Sequence, residues 1–522
     1  MSEIVIPGEE KASDGAPGKG EGTKPVGTQS KRIETGSKPF ETQGKLSLGA
    51  RVFQNTAAQL GGRVIGIFFS AGTSILLARY LGQEKLGEYG AIYAYLSLYG
   101  FFATFCLEQI LAREISVRRE QAAEIFHTGT LTALGFSVVG MVVALIAAPL
   151  FGYTGQIKWL IVLASLDVLI LPPLRFSGII FQVEMRLWYN VAIGLLRQAL
   201  WLVAVVLLAM KHAAFYNVIV ARTGIGVLEA LLVIWTVRRM KLVEGTRQFI
   251  ASEAKMMLRA GLPLVLTMLA VGIYHRIDQV MLHKMSGDRV LGPYVVAVQL
   301  TELFSTLPIA LMTSLFPAMA QSAQDEEKFK RYLGETYRFL LVVVFAACAL
   351  VTPVAAPVIE MFYGKQYLAT AGLMVVLIWS EVPIFFAVAL GSALVAKGLQ
   401  RYMPIGALVG AAMNILLNLV WIPKYGAMGA SWATVISYSV SGIFYLLLIS
   451  KTRPMVLQGL RIAMWPLLLS VGITVSLVSL PINFAWKLVL ASVIYFGGCW
   501  ITGMIKKSDI ERLQAMFKQG IA

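Results

Sequence analysis

From residue 50 onward the chain is a succession of about fourteen apolar stretches, each close to the length of a bilayer-spanning helix and each followed by a short polar connection. A helix of roughly 20 apolar residues crosses the hydrocarbon layer with its backbone polar groups satisfied internally, and little else accommodates so many such stretches in series. Hydrophobic residues make up 57% of the chain and charged residues 14%, with a mean hydropathy of +0.71, which lies outside the range of soluble domains. The sequence predicts an all-α polytopic membrane protein.

The spans fall at 53–79, 88–112, 123–151, 156–181, 189–211, 214–238, 258–284, 290–318, 333–361, 366–396, 400–421, 427–450, 459–480 and 484–505. Lysine and arginine concentrate in the connections after even-numbered spans, among them Arg113, Arg118, Arg119, Arg238, Arg239, Lys255, Lys328 and Lys330. The positive-inside rule places those connections, and both termini, in the cytoplasm. The formal net charge of +16 is then mainly a topology signal and no sign of a nucleic-acid partner. Residues 1–46, polar and rich in Gly, Lys, Glu, Ser, Thr and Pro, predict a disordered cytoplasmic tail.

Residues 50–238 form an N-terminal lobe of six spans, 239–257 a basic cytoplasmic linker, 258–450 a C-terminal lobe of six, and 451–505 two further spans. In 506–522 the capping box Ser508-Asp509-Ile510-Glu511 predicts an amphipathic helix on the inner leaflet. Cys106, Cys348 and Cys499 lie within apolar spans and read as small hydrophobes without a disulfide framework.

An internal echo supports the division into lobes. Leu81-Gly82-Gln83-Glu84-Lys85-Leu86-Gly87-Glu88-Tyr89 follows the first span, and Ser286-Gly287-Asp288-Arg289-Val290-Leu291-Gly292-Pro293-Tyr294 follows the seventh. Both end in Leu-Gly-x-Tyr. Six spans per repeat is an even number, so the lobes share one orientation, related by an axis along the membrane normal.

Polar residues at membrane depth point to a wet interior, because an ionisable group near a helix centre costs at least ~2.5–3.5 kcal/mol. In the first span Asn55, Gln59, Gly62, Arg63, Gly66, Ser70 and Thr73 step by 3 or 4 and share a helix face. Such a stripe lines a cavity; the alternative is a small-residue packing seam with Arg63 snorkelling to the surface. Arg197 shares a face with Asn190 and Gly194, and Arg222 with Gly226 and Glu229. The second half offers His275, Asp278 and Gln279, then Gln299, Glu302 and Thr306, then Glu381, and finally Gly406, Gly410, Asn414 and Asn418. Each of these serves equally well as interhelical glue. Together they predict a hydrated interior, and Arg63, Arg197 and Arg222, with only Glu229 as counter-charge, predict a cationic one suited to an anionic substrate.

Enzymatic readings fare poorly. The 4 histidines form no metal-ligand cluster in sequence, Thr223-Gly224-Ile225-Gly226 lacks the third glycine of a nucleotide loop, and no connection is long enough for a catalytic domain. The expectation is a non-enzyme without cofactor or metal.

The ordered set Asn55, Ala78-Arg79-Tyr80-Leu81-Gly82, Leu86-Gly87-x-Tyr89-Gly90, Arg276-Ile277-Asp278, Leu315-Phe316-Pro317-Ala318 and Asn414-x-x-x-Asn418-x-x-x-Ile422-Pro423-Lys424-Tyr425-Gly426 resembles the polysaccharide-transport branch of the multidrug/oligosaccharidyl-lipid/polysaccharide exporter superfamily. The resemblance runs over roughly residues 50–450. It implies two pseudo-symmetric six-helix lobes in a V around a central cavity, with two C-terminal helices, in a bacterial inner membrane. The implied substrate is a polyprenyl-pyrophosphate-linked oligosaccharide, moved from the inner to the outer leaflet for surface or exopolysaccharide biosynthesis.

On this reading Arg63, Arg197 and Arg222 hold the pyrophosphate and Asn55, Gln59, Asn414 and Asn418 bond sugar hydroxyls, while Asp278, Glu302 or Glu381 couple the cycle to H+ or Na+. Partners are the lipid-linked glycan, membrane lipids and a glycan polymerase or assembly complex. The rivals are a lipid II flippase, a multidrug or cation antiporter of the same superfamily and, from another class, a membrane glycan polymerase or ligase.

Overall fold

The computed structural model describes residues 48–105, 107–184, 186–240 and 248–506. The tail 1–46, the helix expected in 506–522, Cys106 and residues 241–247 of the 239–257 connection lie outside the described residues.

The described chain is helical throughout and contains no strand. The first half holds α1 (Leu48–Ser97), α2 (Gly100–Thr104), α3 (Leu107–Val117), α4 (Ala122–Ala147), α5 (Gln156–Ala164), α6 (Leu166–Val183), α7 (Trp188–Met210) and α8 (Phe215–Arg239). The second holds α9 (Ala251–Ser286), α10 (Asp288–Gln321), α11 (Glu326–Val351), α12 (Ala355–Tyr363), α13 (Leu368–Leu377), α14 (Glu381–Ala396), α15 (Met403–Ser439) and the short α16 (Tyr445–Leu447). Two helices follow, α17 (Arg453–Val478) and α18 (Phe484–Ile501).

Among the described residues 11 helical segments are long and apolar enough to cross a membrane. Two of them contain two crossings each, because α1 breaks at Gly82 and α15 at Gly426. With α9 added, the number of crossings agrees roughly with the fourteen expected. This is a multi-pass membrane protein.

The repeated motif explains how the halves meet. Gly82 has φ 69° and Gly287 has φ 81°, left-handed values that a side chain disfavours, and at each the chain reverses into the next helix. Five residues further on, a Cβ at Gly87 would collide with the carbonyl of Asp288, and a Cβ at Gly292 with the carbonyl of Gln83. The contact is reciprocal: each half lays its second glycine on the turn of the other. That is the pseudo-two-fold relation the echoed sequence implied.

Side chains reinforce this end. The Arg79 guanidinium donates to the carbonyls of Phe362 and Met361 at 2.7 and 2.8 Å, Tyr367 to the carbonyl of Ala78 at 3.1 Å, and Gln83 to that of Gln366. A single apolar core runs across both halves here, including Leu77, Ile92, Val218, Leu291, Val296 and Ile359.

Toward the other end the cores separate. One is built from the first half with the start of α9 (Leu107, Phe176, Ile180, Val233, Met257), the other from the second half and the last two helices (Leu340, Phe345, Phe386, Leu390, Tyr495). Two bodies fused at one end and separately packed at the other leave a cleft between them. Within the first of these bodies Arg118 holds Glu253, at the start of α9, with two hydrogen bonds of 2.8 Å, which keeps that carboxyl below its ordinary range.

Candidate functional site

The cleft contains a cavity of about 920 Å³, at the upper end of the ~300–1,000 Å³ typical of ligand pockets. Its walls come from α1, α6, α7 and α8 of the first half and α10 of the second. The α1 stripe lies on it: Gln59, Gly62, Arg63, Gly66, Ser70 and Thr73 all line the wall. Gln59 and Arg63 are exposed, whereas Thr73, Leu77 and Tyr89 are nearly closed off at 6%, 4% and 4% exposure. The cavity is therefore open at the Gln59 end and sealed at the Gly82 end. Asn55 lies one turn before Gln59 in α1, and its side chain falls outside the described residues.

All three arginines expected at the site line this cavity. Among the described residues Arg63 makes one hydrogen bond, to the carbonyl of Thr306 at 3.3 Å across the cleft. Arg197 is half-buried with its Nε 3.3 Å from Glu229. Arg222 donates to the Tyr89 hydroxyl and lies 3.5 Å from the centroid of the Tyr93 ring, a cation–π arrangement that holds the guanidinium still.

The expected surplus of positive charge is not present. Asp167, Glu229 and Glu302 line the same wall as Arg63, Arg197 and Arg222, so the lining is balanced. Glu302 is also paired with Arg276, outside this lining, whose two nitrogens reach its two oxygens at 3.0 and 3.1 Å. The expectation counted Glu229 but passed over Asp167 on α6, and a count over the first half leaves out Glu302, which α10 brings from the second half.

Asn414 and Asn418 are placed elsewhere. Both are fully buried in α15, and the Asn418 amide donates to the Asn414 side-chain oxygen at 2.9 Å. One turn apart on one helix, they satisfy each other in part, and neither borders the cavity. They are withdrawn as sugar ligands.

The three ion-coupling candidates converge on a second, much smaller void of about 30 Å³, room for roughly one water. Asp278 there accepts from the Tyr294 hydroxyl and, at 2.7 Å, from the backbone N–H of Gln279. Both oxygens of Glu381 accept from Ser305 at 2.8 Å. Glu302 borders the small void and the large cavity at once, which makes it the link between them.

Asp167, Trp201 and Gln198 are among the lining residues that had no place in the expected site. Asp167 carried a usable signal, since a lone carboxylate inside the apolar run Leu166–Leu171 needs a reason to be there. Trp201 carried none; it continues the Asn190, Gly194, Arg197 face of α7, but a tryptophan in a span is ordinarily read as lipid-facing or core.

Comparison with known proteins agrees with the fold. A family model described as polysaccharide biosynthesis protein matches residues 76–372. Lipid II flippase MurJ of Bacillus subtilis is 22% identical over 203 residues, covering 36% of this chain and 37% of that relative. The probable low-salt glycan biosynthesis flippase Agl15 of Haloferax volcanii is 17% identical over 391 residues, covering 73% and 80%. Among solved structures, lipid II flippase MurJ in an inward closed conformation superposes with a TM-score of 0.69 at 16% identity, covering 86% of this chain and 98% of that one. An inward-facing multidrug resistance MATE family transporter superposes with a TM-score of 0.58 at 14% identity, covering 81% and 99%. At these identities the structural matches establish a shared fold.

Proposed function

This chain belongs to the polysaccharide biosynthesis protein family, and from that premise we propose that it is a flippase for polyprenyl-pyrophosphate-linked oligosaccharide, acting in a bacterial inner membrane for surface or exopolysaccharide biosynthesis. The observation that carries this reading is the polar cavity between two lobes bonded at one end and apart at the other. A pyrophosphate and its sugars cannot cross hydrocarbon unaided, since each unsatisfied polar group costs several kcal/mol. A chamber lined with Arg, Gln, Asn, Ser and Thr supplies those partners. Relatives named as flippases of lipid II and of a glycan support the same class of cargo.

Arg63 is the best-placed phosphate ligand, because its fork is committed to a single carbonyl and sits at the open end. Arg197 joins it by exchanging Glu229 for a phosphate oxygen, and Arg222 adds a fixed positive field from deeper in the wall. Gln59, and Asn55 one turn away, bond sugar hydroxyls. The positive-inside pattern turns the open end to the cytoplasm with both termini. Rocking of the lobes then requires the Arg79, Gln83 and Tyr367 bonds to carbonyls at the sealed end to break while new contacts close the mouth. Asp278, Glu381 and the bridging Glu302 couple that cycle to H+ or Na+; one charge crossing the field is worth ~2.3 kcal/mol per 100 mV. A glycan polymerase or assembly complex would receive the product outside.

The test is glycan export in cells carrying Arg63→Ala or Arg197→Ala. Export should fall at least about tenfold, the worth of one charge-assisted hydrogen bond, with the protein still in the membrane. Normal export in both variants would remove the phosphate clamp. Reduced accumulation of cationic dyes in cells making the protein would favour a cation antiporter instead.

A further inference from the structure

The cavity wall changes chemistry along its length. At the open end stand Gln59 and Arg63, with the exposed apolar Val64, Ile65 and Phe68 beside them on α1. Asn190 and Trp201 lie on one face of α7 about 16 Å apart along the axis, at a rise of ~1.5 Å per residue, so Trp201 belongs to the deep end. On α1 Gly72 faces Leu202, the neighbour of Trp201, which sets Ser74 and its hydrogen-bond partner Gln299 at about this level, and Asp167 on α6 lines the same cavity.

This deep wall differs from the mouth. Its arginine, Arg222, is already bonded to Tyr89 and laid on Tyr93. Asp167 faces the cavity, its Oδ1 within 3.8 Å of where a Cβ on Gly226 would stand. Gln299 takes the Ser74 hydroxyl on its carbonyl oxygen at 2.8 Å, which leaves its amide N–H groups for another acceptor. Trp201 is half-buried, packed against the shared core and bordering the cavity. The charges of Asp167 and Arg222 offset one another here, so this end does not draw a phosphate, and a purely apolar ligand would strip its polar groups of water at a cost. A pyranose suits all of these groups: its flat C–H face stacks on an indole, and its hydroxyls donate to a carboxylate and accept from an amide.

Resting on the flippase reading, we infer that Trp201, Asp167 and Gln299 form a sugar subsite, filled by the glycan while the pyrophosphate stays at Arg63. The order is imposed by the cargo. Its prenyl tail must remain in lipid, past Val64, Ile65 and Phe68, so the charged group sits at the mouth and the sugars extend toward the sealed end. Trp201 is the stacking platform, Asp167 the hydroxyl acceptor and Gln299 the donor.

Binding of purified protein to four probes tests this: bare polyprenyl pyrophosphate, and the same lipid carrying glucose, galactose or N-acetylglucosamine. The wild-type protein should bind at least one glycosylated lipid about tenfold more tightly than the bare one, the scale of one good stacking contact. Trp201→Ala and Asp167→Asn should bring that ratio close to one, while Trp201→Phe, which keeps a ring, should retain most of it. Arg63→Gln should weaken both arms alike and leave the ratio intact. The subsite is overturned if the wild type shows no preference for any sugar, if Trp201→Ala keeps the ratio, or if that variant weakens both arms equally as a packing defect would. Failure of the wild type to bind any of the four lipids would sink the flippase reading itself, and the subsite with it.

Discussion

Tyr89 and Tyr294 occupy the same place in the two copies of Leu-Gly-x-Tyr, yet their hydroxyls do opposite things. Tyr89 accepts from the Arg222 guanidinium at the wall of a cavity of about 920 Å³, whereas Tyr294 donates to the Asp278 carboxylate beside a void of about 30 Å³. The backbone frame is kept in both halves, down to the left-handed Gly82 and Gly287 and the reciprocal glycine contacts. What has diverged is charge and room. Tyr89 borders a cavity with room for a large ligand; the void beside Tyr294 can hold no more than a water, an ion or a proton.

The strongest way to sharpen this comparison is to attack what the halves share. Gly87→Val and Gly292→Val each drive a side chain into the opposite turn, and each should cost about 3 kcal/mol by overpacking. Equal losses of thermal stability would confirm the two-fold relation; a loss in only one would break it.

Next come the residues that differ. Asp278→Ala takes the carboxylate acceptor from the fully buried Tyr294 hydroxyl and should cost about 2 kcal/mol. Arg222→Ala opens onto a cavity that water can enter, so its loss should stay under about 1 kcal/mol. Unfolding midpoints in one detergent measure both, and equal costs would contradict the contrast between a dry second half and a wet first half. Asp278→Asn keeps the shape and most bonds, so stability should hold while the dependence of transport on an imposed H+ or Na+ gradient disappears in reconstituted vesicles.

The smallest effect is expected where the start of α9 is tied to the core of the first half. Arg118 holds the Glu253 carboxyl below its usual range, so this contact stabilises above the ordinary glutamate pKa of ~4.3 and is lost as pH falls through the lowered folded value. The wild type should lose up to about 1 kcal/mol more than Glu253→Gln on going from pH 7 into that acid window. Parallel pH profiles would show the pair to be inert.

Much of the cavity was legible. The spacing of Gln59, Arg63, Gly66, Ser70 and Thr73 by threes and fours fixed one face of α1, and Arg197 and Arg222 were conspicuous as charges inside apolar runs. Asp167 obeyed the same rule and was missed. Asn414 and Asn418 also share a helix face, but spacing on one helix does not say which helix covers that face, and here neighbours bury it completely. The sign of the cavity failed for a related reason: net charge at a site is a sum over walls contributed by helices far apart in sequence.

By itself the sequence determined an all-helical membrane protein, its approximate crossings, the repeat and the helix faces that carry polar groups. These follow from hydropathy and a 3.6-residue period, which are local properties of a chain in lipid. Only the tertiary structure decided which faces meet in an open cavity, which close on one another, and which arginine has a carboxylate for a neighbour. Helices in a bilayer pack by shape and by pairing of scattered polar groups rather than by burial from water, so their partners are set by complementarity between distant segments that no single segment displays.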